Sequence, residues 1–182
     1  MAKTLTGKGR EGEKKSLYTQ IASLALESAV KGDGSIKIPP GLPREFQEPG
    51  AVFVSLKKRG ALRGCIGTIY PAQKNLLEEI MANALSAGLR DPRFSPVTAE
   101  ELDELDYSVD VLTEPEKVED ISRLDPQVYG IIVRSGDRTG LLLPALEGVN
   151  SVELQMDIAR RKAGIAPGEP IEIFRFQVKR YY

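Results

Sequence analysis

The chain has 182 residues, of which 41% are hydrophobic, and this length and composition fit one compact domain with a sizeable core. Its 25 Lys and Arg residues are balanced by 26 Asp and Glu residues, so a net charge of −1 gives no long-range attraction to nucleic acid or to an anionic membrane. The single cysteine excludes an internal disulfide and any multi-cysteine zinc or iron–sulfur site, and the absence of histidine excludes Ser–His and Cys–His nucleophile pairs and histidine-ligated metals.

The N-terminal segment, residues 1–15, is polar and rich in Gly, Lys and Glu, which predicts a mobile tail ahead of a single domain over residues 16–182. This segment lacks the apolar stretch of a secretory signal. No apolar run in the chain approaches the roughly 18 residues of a membrane-spanning helix. We therefore expect a cytoplasmic protein that has no membrane partner.

The first predicted helix begins after Ser16 as N-cap and runs to about Val30, with Gly32 just past its end, because apolar residues recur at helical spacing. Residues 33–50 are rich in proline and glycine. This composition predicts an irregular connection that is long enough to line a site or to pack over one.

The middle of the chain predicts a hairpin followed by two helices. Residues 51–56 and 61–69 are β-prone runs on either side of a charged loop with Gly60. Residues 75–89 carry an apolar stripe, which is typical of a helix packed on a sheet. Thr98 and Glu101 form a capping-box pattern for a short helix.

The last part of the chain adds more strands. Residues 105–111 alternate apolar and polar side chains, residues 129–143 resemble a second hairpin, and Asn150 is expected to cap a helix that ends at Gly164. The alternating run 171–178 is expected to close the sheet. Since strands arrive mostly as hairpins with interspersed helices, we predict an α+β fold with a mainly antiparallel sheet flanked by helices.

The segment 62–68, Leu-Arg-Gly-Cys-Ile-Gly-Thr, places the only cysteine between two glycines. Strand alternation predicts that Leu62 and Ile66 face the core and that Cys65 lies on the other face, with Arg63 and Gly67. On a functional reading, the arginine favours the thiolate and Gly67 lets a ligand approach the backbone. On a structural reading, Cys65 is a small buried residue and the glycines accommodate a helix or a bulge.

A second group of polar residues follows the predicted second helix. Asp91 and Arg93 either converge with Arg63 and Cys65 to hold a small polar or carboxylate ligand, or form a local cap and ion pair. Phe94 is expected to anchor the core. Glu101 is the reciprocal half of a helix cap or a catalytic carboxylate.

Six segments together closely resemble the AMMECR domain family, called AmmeMemoRadiSam system protein A in prokaryotes. They are Leu-Arg-Gly-Cys-Ile-Gly-Thr at 62–68, Asp-Pro-Arg-Phe-Ser-Pro at 91–96, Glu-Leu at 101–102, Asp-Val-Leu-Thr-Glu-Pro at 110–115, Gly-Leu-Leu-Leu-Pro at 140–144 and Lys-Ala-Gly at 162–164. The resemblance extends from about Leu17 to the C-terminus. It implies a larger and a smaller lobe with a cleft between them near the cysteine motif. It also implies a Memo-like protein and a radical SAM protein as partners, while it assigns no reaction and no cofactor.

Many relatives in that family carry a second cysteine just before Lys-Ala-Gly, where this chain has Arg160 and Arg161. This departure argues against a two-cysteine mechanism. Pro144, in the fifth matching segment, either ends a strand or shapes a pocket. The resulting candidate site has Cys65 and Arg63 as catalytic residues, no metal, and the ligand-binding residues Gly64, Gly67, Thr68, Asp91, Arg93, Glu101 and Pro144.

Three functional hypotheses follow. In the first, the chain is an enzyme in which Arg63 activates Cys65 as a nucleophile or redox thiol. In the second, it is a non-enzymatic subunit that binds a small molecule or presents the same motif to protein partners. The third, nucleic-acid binding, rests only on the local basic group Lys57, Lys58, Arg59 and Arg63 and is not favoured.

Overall fold

The computed structural model describes residues 15–32, 34 and 36–182. The predicted mobile tail therefore lies outside the described residues, except for Lys15. The helices and strands, in chain order, are α1 (Leu17–Lys31), β1 (Val52–Lys58), β2 (Ala61–Gly67), α2 (Leu76–Leu89), β3 (Leu105–Leu112), β4 (Glu116–Val118), β5 (Gly130–Ser135), β6 (Arg138–Leu142), α3 (Val152–Ala163), β7 (Glu172–Phe176) and β8 (Val178–Tyr181). Short 3₁₀ helices cover Arg44–Gln47, Ala99–Glu104 and Ile121–Arg123.

The fold is α+β, as the sequence predicts, and its strands form two four-stranded sheets. One sheet has the order β2-β1-β3-β8 and the other has the order β4-β7-β5-β6. The pairs β1–β2, β4–β7, β5–β6 and β5–β7 are antiparallel. The expectation that the last alternating run closes a single sheet is wrong, because that run is divided at Gln177 into β7 and β8, which join different sheets.

Contacts divide the chain into two compact units. The first contains the described residues up to Asp110 together with Arg180–Tyr182, and the second contains Val111–Lys179. In the first unit, the helices and sheet enclose a core whose fully buried members include Ile21, Leu26, Phe46, Val52, Val54, Leu56 and Ile80. In the second unit, a separate core contains Leu124, Ile131, Val133, Leu142, Val149, Ala159, Ile165 and Ile173.

The helix ends follow from capping. Ser16 accepts a hydrogen bond from the N–H of Thr19, and Gly32 ends α1 with a φ of 71°, which glycine adopts at little cost. The predicted cap of α3 is wrong by one residue, because Ser151, and not Asn150, accepts from the N–H of Leu154. None of the described helices is long and apolar enough to cross a membrane.

Between α1 and β1, residues 36–51 are irregular apart from one short 3₁₀ helix, as predicted. Its short helix, Arg44–Gln47, buries Phe46 completely in the first unit, and the Glu48 carbonyl accepts the N–H of Leu76 at the start of α2. This segment is thus attached to the core of the first unit.

Candidate functional site

Strand β2, which carries the cysteine motif, lies at the edge of its sheet and contains a β-bulge. Leu56 pairs with Gly64 whereas Lys57 pairs with Leu62, so Arg63 is the additional residue on β2. The bulge moves Leu62 to the face of Lys57, where it is 43% exposed. The prediction that Leu62 faces the core is therefore wrong, since strict alternation does not continue through a bulge.

Both glycines of the motif are required by packing. A Cβ at Gly64 would lie 2.1 Å from the carbonyl oxygen of Ala87 in α2, so only glycine allows this helix to approach the strand so closely. A Cβ at Gly67 would lie 2.3 Å from the ring of Phe53, its partner on β1. The expected open approach at Gly67 is thus occupied by an aromatic ring on that face.

Asp91 and Arg93 cover the open edge of β2 at Cys65. Asp91 Oδ2 accepts the Cys65 N–H at 2.9 Å, and Arg93 Nη2 donates to the Cys65 carbonyl at 3.1 Å. Two further hydrogen bonds join the guanidinium to the carboxylate, at 3.0 and 2.7 Å. The Asp91 side chain is only 1% exposed, and the hydrogen bonds from Arg93 hold the pKa of this carboxyl well below its usual value.

Arg63 forms a bidentate pair with Glu101. Its Nε and Nη2 donate to the two carboxylate oxygens at 3.0 and 2.9 Å, and the Arg63 side chain is 13% exposed. These bonds lower the pKa of Glu101 to about 2. Glu101 also accepts the N–H of Thr98, so the predicted capping box is confirmed. Because the guanidinium is directed at Glu101, no described contact joins it to the Cys65 thiol.

Most positive charges of the basic group at 57–59 and 63 are paired with carboxylates. Lys58 pairs with Glu101 and Glu104, and Arg59 pairs with Glu104 at 2.7 Å. Together with the Arg63 pair, these contacts occupy three of the four cations on which the nucleic-acid hypothesis rests.

Phe94 is not the core anchor that the sequence predicts. The ring is half-buried, and the guanidinium carbons of Arg63 and Arg93 lie 5.9 and 5.5 Å from its centroid. It therefore makes cation–π contacts with both arginines.

The Cys65 side chain is half-buried and lies opposite Ser55 on β1. Ser55 Oγ donates a hydrogen bond to Cys65 Sγ at 3.2 Å. This is the polar contact that the structure gives the thiol.

A pocket of about 270 Å³ lies beside the last residue of the motif, Thr68. Its wall includes a polar stripe on one side of α2 and its end: Glu79, Asn83, Ser86 and Arg90. Glu79 is 1% exposed and accepts a hydrogen bond from Thr68 Oγ1 at 2.6 Å. None of these four residues is predicted from the sequence as part of the site, although their spacing of four, three and four positions, in a helix that is apolar apart from Glu78, is a detectable signal.

Pro144 belongs to the second unit and follows the end of β6 at Leu142, which agrees with its reading as a strand terminator. Among the described residues, no group of three or more Cys, Asp and Glu side chains has an arrangement that could hold a metal ion.

Comparison with known proteins identifies relatives of this chain. The AMMECR1 family model matches residues 15–181. A Thermotoga maritima protein is 47% identical over 167 residues, which cover 90% of this chain and 96% of that protein. A Clostridium acetobutylicum protein is 47% identical over 171 residues, which cover 93% of this chain but 36% of that longer protein. The crystal structure of an uncharacterized Pyrococcus horikoshii protein matches with a TM-score of 0.82 and 32% identity, covering 90% of this chain and 88% of that one.

Proposed function

This chain belongs to the AMMECR1 family, and from that premise we propose that it is a binding component of a Memo-like and radical SAM system. It holds a small molecule in the pocket beside Thr68. On this proposal the segment 62–68 is the scaffold of a ligand site, and the chain does not itself need a catalytic thiol.

The observation that carries the proposal is the pocket with its polar wall. At about 270 Å³ it is close to the lower end, roughly 300 Å³, of pockets that bind small molecules. Thr68 ends the motif and bonds directly to Glu79 in this wall. A ligand here would therefore contact the motif through its last residue.

The other motif residues support a scaffolding role. Gly64 permits the contact with α2, Arg63 is committed to Glu101, and Asp91 holds the edge of β2. Each of these contacts fixes the position of β2 relative to α2 and to the segment that follows it. The pocket is lined by α2, by Arg90 and by residues of the connection between β2 and α2, so a fixed position of α2 on β2 favours ligand binding.

The role as a component rests on family membership. The longer Clostridium acetobutylicum relative, of which the match covers 36%, supports the idea that a chain of this kind works together with further protein. Co-purification with the Memo-like and radical SAM proteins of the same organism is the test. We expect Cys65→Ser to retain both partners, whereas failure of the unaltered chain to retain either would reject the component role.

The ligand site is tested by placing a larger side chain in the pocket. Ala82 lines the pocket, so Ala82→Phe is expected to abolish the binding of small fragments detected by ligand-observed NMR. Ala166→Phe is the matched control, because Ala166 is exposed and lies outside the pocket. Equal binding to the unaltered chain and to Ala82→Phe, or no fragment binding at all, would reject the site.

A second candidate function, chemistry at the Cys65 thiol, is favoured by the hydrogen bond from Ser55 to Cys65 Sγ. A hydroxyl group at this distance is placed to influence the reactivity of the sulfur. If this function operates, iodoacetamide reacts faster with Cys65 in the folded protein than in the unfolded chain, and Ser55→Ala slows the reaction. A thiol that reacts only after unfolding is a packing residue.

A further inference from the structure

We infer that the pocket beside Thr68 takes a small organic anion whose carboxylate or phosphate group is bound by Arg90. This inference rests on the proposed function, since it names the class of ligand for the same site. It follows from three features of the pocket wall: a carboxylate whose oxygens already accept hydrogen bonds from the protein, an unpaired guanidinium and two neutral polar side chains.

The acid of the pocket, Glu79, is fully occupied by protein donors. Its Oε1 accepts from Thr68 Oγ1 at 2.6 Å and from Asn83 Nδ2 at 3.1 Å. Its Oε2 accepts the N–H groups of Ala72 and Gln73 at 2.8 and 2.7 Å. Four donors thus surround a side chain that is 1% exposed, and they leave it no role as a ligand for an incoming cation.

The basic residue of the pocket, Arg90, differs from Glu79 in having no described protein partner for its side chain. It follows the last residue of α2, it is exposed, and its guanidinium makes no hydrogen bond or ion pair with any described residue. The other two arginines of this region, Arg63 and Arg93, each donate two hydrogen bonds to a carboxylate. Arg90 therefore supplies the unpaired charge of the wall, and a guanidinium fork matches the geometry of a carboxylate or a phosphate.

Two neutral side chains lie beside this cation. Ser86 is one helical turn before Arg90, so its hydroxyl group is placed to donate to the same anion. Asn83 donates its Nδ2 to Glu79 and keeps its Oδ1 as an acceptor. An anionic group at Arg90 satisfies the guanidinium, and a hydroxyl group near Asn83 is a further contact that larger ligands can make, which describes a small carboxylate or a phosphorylated polyol.

A charge at the end of a helix has a simpler explanation, which the test must exclude. Arg90 lies at the C-terminus of α2, where a positive charge stabilises the helix through its dipole without any ligand. That role predicts a small loss of stability in Arg90→Gln and no effect on ligand binding. The two roles are therefore separated by a binding measurement.

The experiment is an NMR titration of the full chain at constant ionic strength with four small probes. Succinate and glycerol 3-phosphate are anionic, erythritol is neutral and putrescine is cationic. We expect succinate, glycerol 3-phosphate or both to shift the backbone resonances of Ser86 and Arg90. Loss of a charge-assisted hydrogen bond in Arg90→Gln should weaken this binding about tenfold or more.

Lys74→Gln is the matched control, because it removes one positive charge from an exposed side chain that does not line the pocket. Binding by succinate alone or glycerol 3-phosphate alone supports the inference and identifies the carboxylate or the phosphate as the anionic group. Absence of binding by both anions overturns the inference, and so does equal weakening in Lys74→Gln and Arg90→Gln. A third outcome separates the two proposals. If neither anion binds but erythritol or putrescine does, and Ala82→Phe prevents that binding, the proposed ligand site stands and only its anionic specificity fails.

Discussion

The carboxylate of Asp91 accepts the backbone N–H of Cys65 at 2.9 Å, on the edge of β2 that no neighbouring strand covers. An uncovered edge exposes backbone groups that can pair with another chain. In this structure a buried acid takes the N–H, and the arginine two residues later takes the carbonyl of the same residue. The motif at 91–93 thus replaces a missing strand at one position.

We predict that Asp91→Asn destabilises the protein by about 1.5–3 kcal/mol, because hydrogen bonds to a buried charged group are lost and an amide cannot accept from all of the same donors. The measurement is urea unfolding followed by circular dichroism, since the chain has no tryptophan. Asp106→Asn is the control, as Asp106 is exposed on β3. Equal stability of the two variants would contradict the structural role of Asp91.

We predict that the protein loses stability as the pH falls from about 4.5 toward 2. Hydrogen bonds from Arg63 lower the pKa of Glu101 from 4.5 to about 2, and those from Arg93 lower the pKa of Asp91. Below pH 4.5 the unfolded chain therefore takes up protons before the folded protein does. The contribution of each pair is complete above the unfolded pKa and is lost as the pH falls through the folded pKa.

The measurement for this prediction is the free energy of unfolding between pH 6 and pH 2, a range set by the two pKa values of Glu101. Glu101→Gln removes one titrating group, so its stability should fall less steeply with acid than that of the unaltered chain. The same slope in both proteins would show that Glu101 has an ordinary pKa in the folded state.

We predict that Gly64→Ala destabilises the protein by about 1–3 kcal/mol or more, because its Cβ would lie 2.1 Å from the Ala87 carbonyl and would push α2 away from β2. The comparison is Gly50→Ala, whose Cβ would meet the end of the flexible Leu76 side chain at 3.0 Å. Thermal unfolding of both variants checks the difference. A Gly64→Ala protein as stable as Gly50→Ala would place α2 farther from the strand than the structure has it.

Features of this fold that depend on residues close together in the sequence can be predicted from it, whereas features that depend on distant partners cannot. The ends of α1 and the capping box at Thr98 and Glu101 depend on residues within four positions, and both predictions are confirmed. The bulge at Arg63 depends on register with β1, and the division of strands between two sheets depends on pairs such as Val133 with Ile173. Local periodicity carries no information on such distant partners.

The candidate site shows the same difference between local features and contacts with distant residues. The motif 62–68 and the segment 91–96 can be identified from the sequence, but their contacts cannot. Arg63 is adjacent in sequence to Gly64 and two residues from Cys65, yet its partner is Glu101, which is 38 positions away. The burial of Glu79 is not predicted from the sequence, because acids in the first turn of an amphipathic helix, such as Glu78 and Glu79, are usually solvated.

The last prediction concerns Glu79, whose two oxygens accept from four donors in the wall of the pocket. In Glu79→Gln one acceptor becomes an NH₂ group that faces two donors. A fully buried donor that loses its acceptor costs about 1–3 kcal/mol, and because Ala72 and Gln73 are exposed residues we expect a total loss of roughly 1–3 kcal/mol. The amides of Ala72 and Gln73 should also lose protection from hydrogen exchange.

Glu78→Gln is the matched control, because Glu78 precedes Glu79 in the first turn of α2 and its carboxylate has no described contact, while its backbone N–H donates to the Asn75 side chain. Urea unfolding and hydrogen exchange measured by NMR on both variants distinguish the two positions. If the buried carboxylate of Glu79 fixes the 71–73 segment, only Glu79→Gln lowers the hydrogen-exchange protection of these amides. If both variants retain amide protection and equal stability, Glu79 does not hold this wall of the pocket, and the site proposed beside Thr68 loses its structural basis.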